Sequence, residues 1–167
     1  CIRDRILVGG LGLGHTAQAA LEQSGVGSVE VVEALAPVIE WHREGLTPLG
    51  TVLADDPRCR LTQADFFAFL RRQTGPTWDA VLLDIDHAPD RWLAPGHADF
   101  YGVEALTRLR DRLKPGGVFA MWSDEAAPGP FLAVLEAVFR DADGRTVAFP
   151  NPLTGEASAC TIYRGWA

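Results

Sequence analysis

The sequence predicts an α/β fold: a doubly wound, mostly parallel sheet with helices on both faces, ending in an antiparallel β-hairpin. Three observations lead there. β-like and helix-like runs alternate from Arg5 to Phe139, and such alternation gives parallel strands joined by right-handed crossovers. The first strand feeds a loop with glycine at positions 9, 10, 12 and 14, and that loop opens a helix. The last two β-runs lie a single turn apart, which leaves no room for a crossover helix.

Taken in order, an apolar strand Arg5–Gly9 is followed by a helix His15–Ser24 and a strand Ser28–Val32. A helix from about Ala36 to Gly45 and a short one near Pro48–Ala54 precede strand Cys59–Gln63 and helix Phe66–Gln73. Strand Trp78–Asp84 carries the run Ala80-Val81-Leu82-Leu83, as expected of a central strand buried on both faces. A long loop to about Asp99 leads to helix Phe100–Leu113. Leu113-Lys114-Pro115-Gly116-Gly117 reads as a helix end and tight turn into strand Gly117–Trp122. Helix Gly129–Phe139 completes the alternation, and Arg145–Phe149 with Ala159–Tyr163 form the edge hairpin around Pro150–Gly155. Five strand–helix units closed by a hairpin is a class I methyltransferase-like variant of the Rossmann architecture. Its ligand belongs at the carboxyl ends of the strands, near the reversal of strand order.

Bulk properties narrow the function classes. The 167 residues fit one domain with a real core, and 47% hydrophobic against 22% charged residues is ordinary for a soluble globular protein. No apolar run reaches the roughly 18–20 residues of a membrane span. A net charge of −7 argues against nucleic acid as the main partner. Cys1, Cys59 and Cys160 are odd in number and lack metal spacing, so they read as reduced thiols of a cytoplasmic protein. His15, His42 and His97 likewise show no metal-site spacing. No metal is expected. The chain opens almost directly on its first strand without Met, and an N-terminal segment upstream is therefore expected.

The glycine-rich loop carries the main functional signal. Gly10, Gly12 and Gly14 let the backbone take positive φ and let a ligand approach it, with the next helix's NH groups facing the same space. Glu33 ends the second strand, nineteen residues past Gly14, where a carboxylate accepts hydrogen bonds from the two hydroxyls of an adenosine ribose. Asp65 fits a helix N-cap, and it also fits a contact to the adenine amino group with Phe66 packed near the base. Asp84 and Asp86 lie two apart and share a face while the chain stays extended. Either could take a proton from a substrate amine; Asp84 is the stronger candidate, and Asp86 equally fits a turn residue. His87 fits a backbone-bonded loop residue, whereas Trp92 and Trp122 are placed to wall a pocket. Asn151-Pro152 reads as a turn.

These residues resemble the spermidine synthase (polyamine aminopropyltransferase) family, in particular its short bacterial spermidine synthase-like members. The likeness rests on Gly10–Thr16, Val31–Ile39, Asp56–Arg60 leading to Asp65, Trp78–Asp84, Phe100-Tyr101 and Leu113–Val118. It implies a transferase that binds S-adenosylmethionine or its decarboxylated form and passes an aminopropyl or methyl group to a small-molecule amine. On that likeness Glu33 holds the ribose, Asp65 and Phe66 the adenine, and Asp84 the attacking amine. Two positions depart from the family's pattern: Leu13 and His87 stand where it has aspartates. Both changes remove carboxylates that would hold ammonium groups, so methyl transfer to a small molecule stays beside aminopropyl transfer. A non-catalytic nucleoside-binding homologue is a further alternative. A nicotinamide oxidoreductase also fits Gly12–Ala17 with Glu33, but the terminal hairpin and Asp65 disfavour it. Oligomeric state is not legible, and a homodimer is left open.

Overall fold

The computed structural model describes residues 4–72, 74, 77–152 and 155–167. Cys1, the expected helix end at Gln73 and turn residues Leu153 and Thr154 lie outside them. Parallel strands β1 (Asp4–Gly9), β2 (Val26–Glu33), β3 (Cys59–Gln63), β4 (Trp78–Leu83) and β5 (Leu113–Ser123) alternate with helices. The helices are α1 (His15–Leu21), α2 (Ala36–Arg43), α3 (Gly50–Asp55), α4 (Phe66–Arg72), α5 (Val103–Arg110) and α6 (Phe131–Val138). Strands β6 (Asp141–Pro150) and β7 (Ala157–Trp166) form the closing hairpin. The sheet order is β3-β2-β1-β4-β5-β7-β6, with β7 antiparallel to β5. The chain thus winds outward from β1 in one direction, then returns and winds outward from β4 in the other.

Alternating side chains on each strand feed two apolar layers. Ile6, Val8, Val29, Val31 and Ala80 pack with Ala17, Ala20, Leu21, Ile39 and Leu53 from α1–α3. Leu7, Val32, Val81, Leu83, Phe119, Met121 and Tyr163 pack with Phe66, Phe67, Leu70, Leu106, Leu109, Phe131 and Leu135 from α4–α6. β4 is therefore nearly buried, as its apolar run predicts; only Asp79 and Leu82 keep partial exposure.

Several expected bounds need correction, the hairpin strands and helix Gly129–Phe139 among them. Helix Phe100–Leu113 is instead a 3-10 turn, Pro95–Tyr101, followed by α5, because Gly102 is extended at φ −92° and ψ 160° and interrupts the helix. Strand β5 begins at Leu113 rather than Gly117, with Gly116 at φ 77° inside it. Helices α1 and α2 stop short of Ser24 and Gly45.

Candidate active site

Strands β1 and β4 are neighbours at the reversal of order, so their carboxyl ends and the loops after them meet. The Gly10 NH donates to the Val32 carbonyl (3.0 Å) and the Asp84 NH to the Gly9 carbonyl (2.9 Å), which holds all three strand ends together. Gly10 has φ 91°, and a Cβ there would sit 2.3 Å from the Asp84 carbonyl oxygen. Only glycine satisfies both conditions. The loop then turns tightly, the Gly14 NH donating to the Leu11 carbonyl at 2.8 Å.

Two side chains set the loop's shape. Fully buried His42 donates from Nε2 to the Gly12 carbonyl (2.9 Å), which leaves Nδ1 to accept from the Thr47 hydroxyl (3.0 Å). Glu33 accepts from the Leu11 NH (3.0 Å) and the Leu35 NH (2.8 Å). Its carboxylate is therefore held in place by backbone on both sides.

A cavity of about 450 Å³ opens at these strand ends, within the range usual for small-molecule sites. Gly10, Gly12, Glu33, Asp65, Phe66 and Asp84 line it, so six of the eight residues singled out from the sequence come together. Phe66 is buried beneath the strand end; a Cβ on Gly9 would strike its ring at 2.7 Å. Asp65 caps α4, accepting from the Ala68 NH at 2.6 Å, and also lines the cavity, so its two readings coexist. Three carboxylates and no lysine or arginine appear among the described lining residues. Such a wall favours a ligand with positive charge.

Asp84 has a second neighbourhood. Its carboxylate accepts from the Thr16 hydroxyl (2.9 Å) at the start of α1, and it also lines a smaller cavity of about 190 Å³. Leu82, Ala120, Met121, Trp122 and Ile162 wall that second space. The expectation for Trp122 therefore holds. Trp92 instead lines neither cavity and donates its indole NH to the Pro89 carbonyl at 2.7 Å.

Two site candidates are placed elsewhere. Gly14 lies under the loop, its φ 92° starting α1 and its Cα pressed toward Leu53 and His42, so it shapes the loop without facing the cavity. Asp86 is 2% exposed and turned inward, because the chain bends directly after Asp84 and the extended geometry that would align the two side chains is lost. Its carboxylate accepts from the Tyr101 hydroxyl (2.6 Å) and the Leu93 NH (2.8 Å), and it meets Nδ1 of His97 at 2.9 Å. Burial, then the hydrogen bond to Asp86 and its charge, push the Tyr101 phenol far above its ordinary value, so it remains a donor. His87 is exposed, and its carbonyl accepts from the Asp124 NH at 2.8 Å. Leu93 and His97, which the sequence did not single out, are part of the larger cavity's wall.

The fold and the cleft at its reversal point define an α/β domain of the class I methyltransferase type. The chain belongs to a narrower group within it, the family described as "Spermine/spermidine synthase domain", whose sequence profile matches residues 3–129. Among similar proteins, Polyamine aminopropyltransferase 2 of Pseudomonas aeruginosa is 29% identical over 158 residues, covering 91% of this chain and 44% of that protein. A polyamine aminopropyltransferase of Prochlorococcus marinus is 31% identical over 121 residues, covering 72% of this chain and 41% of that protein. The chain thus spans less than half the length of these relatives. Spermidine synthase from Thermotoga maritima has the same fold, with TM-score 0.74 at 19% identity over 98% of this chain and 54% of that one. Human methyltransferase-like protein 13 in complex with SAH matches at TM-score 0.68 and 19% identity, over 98% of this chain and 72% of that one.

Proposed function

We propose that this chain is the donor-binding domain of a transferase that moves an aminopropyl or methyl group from a sulfonium nucleoside to a small-molecule amine. The observation that carries this reading is the position of Asp84, a residue that lines both the larger cleft and the smaller cavity. A nucleoside in the cleft and an amine in the smaller space would meet at that one group. The relatives' names as aminopropyltransferases support the same chemistry.

The residues present fit decarboxylated S-adenosylmethionine or S-adenosylmethionine. Glu33 would accept from the ribose hydroxyls, Asp65 and Phe66 would hold the base, and the bare backbone at Gly10 and Gly12 admits close approach. A sulfonium supplies a carbon that is already electrophilic, so the protein's part is placement and proton removal. Asp84 receives the amine proton as the amine lone pair forms the new carbon–nitrogen bond. The carbon–sulfur bond breaks with its electron pair on sulfur, which leaves a neutral thioether nucleoside.

Methyl transfer stays beside aminopropyl transfer, because Leu13 stands where the resemblance expects a carboxylate toward the aminopropyl end. Titration calorimetry with methylthioadenosine, S-adenosylmethionine, its decarboxylated form and NAD tests the reading. Methylthioadenosine and one sulfonium donor should bind; tight binding of NAD alone would overturn the proposal in favour of an oxidoreductase. Donor binding with no transfer to any of a panel of amines would leave a nucleoside-binding homologue.

A further inference from the structure

Asp86 is a buried carboxylate that the transfer step does not use, and three donors converge on it. Because a carboxylate only accepts, His97 must present its proton on Nδ1, at 2.9 and 3.1 Å from the two oxygens. The imidazole's other nitrogen, Nε2, is then an acceptor while the ring is neutral. His97 lines the larger cavity, its ring stands 4.4 Å from that of Phe67, and Nε2 meets no donor among the described residues. The ring is held at Nδ1 by Asp86 and packed against Phe67, which leaves the Nε2 edge as the unengaged part of a residue that lines the cavity. Phe67 follows Asp65 and Phe66 directly, so His97 stands beside a neighbour of the residues proposed for the base, in the same cavity wall.

Resting on the nucleoside reading above, we infer that His97 is a base-reading residue: its Nε2 accepts a hydrogen bond from the exocyclic 6-amino group of a purine, and Asp86 is the positioning residue that fixes the required tautomer. The amino group has two hydrogens, so Asp65 can accept one and His97 the other. A 6-oxopurine offers an acceptor to an acceptor, and the site rejects it. The same carboxylate anchors the backbone of Leu93, so one buried group holds both loop residues of this wall.

The test compares 5'-methylthioadenosine with 5'-methylthioinosine by titration calorimetry, in the wild type and in two variants. The wild type should prefer the 6-amino compound by about tenfold or more, the scale of one well-placed hydrogen bond. His97→Phe keeps a ring against Phe67 but removes both nitrogens, and it should lower the ratio severalfold, leaving the share that Asp65 reads. Asp86→Asn leaves one acceptor and adds one donor beside Nδ1, so a single tautomer is no longer fixed and the ratio should fall in part. It retains an acceptor for the Leu93 NH, and it reads the same ratio should His97→Phe fail to fold. A loosened wall would weaken both compounds together and leave the ratio unchanged. An unchanged ratio in the folded variants, or a wild type that binds both compounds equally, overturns the inference alone. A wild type that binds neither compound overturns the nucleoside reading and this inference with it.

Discussion

Gly10 and Gly12 are both left-handed, yet the structure asks different things of them. A Cβ at Gly10 would meet the Asp84 carbonyl oxygen at 2.3 Å, whereas a Cβ at Gly12 meets nothing within 4 Å. Gly12→Ala should cost only the left-handed backbone term, about 1–2 kcal/mol. Gly10→Ala must in addition part the ends of β1 and β4, so its loss in chemical denaturation should clearly exceed that of Gly12→Ala; equal losses would refute the close approach. Asp84→Asn keeps shape and removes basicity, so donor affinity should survive while the transfer rate falls by about 100-fold or more. Unchanged turnover would remove Asp84 from the chemistry. Glu33→Ala should weaken nucleoside binding by about 1.5–3 kcal/mol in calorimetry, the range for hydrogen bonds to a charged group. Since Glu33 also holds the NH groups of Leu11 and Leu35, thermal stability should fall with it. Glu33, Asp65 and Asp84 were legible because each sits at or just past a strand end, where sequence parity and fold class fix direction. Asp86 leaves that face because the chain bends just after Asp84 and parity means nothing beyond a bend, which agrees with its other reading as a turn residue. His97 was invisible because its partner lies eleven residues away across a loop, and no periodicity links them.

The order of strands and helices is legible in the sequence, and the differences lie at their ends. β3 has the expected bounds Cys59–Gln63, since the apolar alternation and the flanking turns leave no other register. The hairpin's position was right, but it is longer than expected, because pairing continues from Asp141↔Trp166 to Pro150↔Ala157 through residues of little β character. Helix ends were overrun where the tertiary fold needed a turn, and Gly102 split one helix without any proline to announce it. Strand β3 also carries a chemical expectation. Burial, and then the charge of Asp56, push the Cys59 thiol up to about 11. At pH 8 it should stay protonated and react slowly with iodoacetamide in the native protein, then quickly after denaturation. Mass spectrometry of the Cys59 peptide checks this, and equal native and denatured rates would contradict it.

At the scale of the molecule, carboxylates tie distant parts of the chain. The Arg164 guanidinium, and then Arg145, hold Asp143 below the usual carboxylate range across the hairpin. Burial pushes Asp79 up, but Lys114 and the Arg5 NH outweigh it and leave Asp79 low, joining β1, β4 and β5. A depressed folded value contributes stability that is complete above the unfolded carboxylate value of about 3.9 and is lost as pH falls through the folded value. Thermal midpoints should therefore hold from pH 7 to about 5 and drop below about 4, with Asp79→Asn showing a shallower acid loss than the wild type. An equal slope in that variant would discount the Asp79 ties. The reversal of strand order between β1 and β4 was legible from the alternation alone, whereas which cavities that reversal creates depended on side-chain volumes around it. One of those volumes belongs to Trp122, half-buried in the wall of the smaller space within reach of whatever enters beside Asp84. Indole emission responds to polarity and to nearby charge, so the protein contains its own optical reporter for that chamber. Filling it should shift or quench this fluorescence without any added label, and Trp122→Phe should silence the signal.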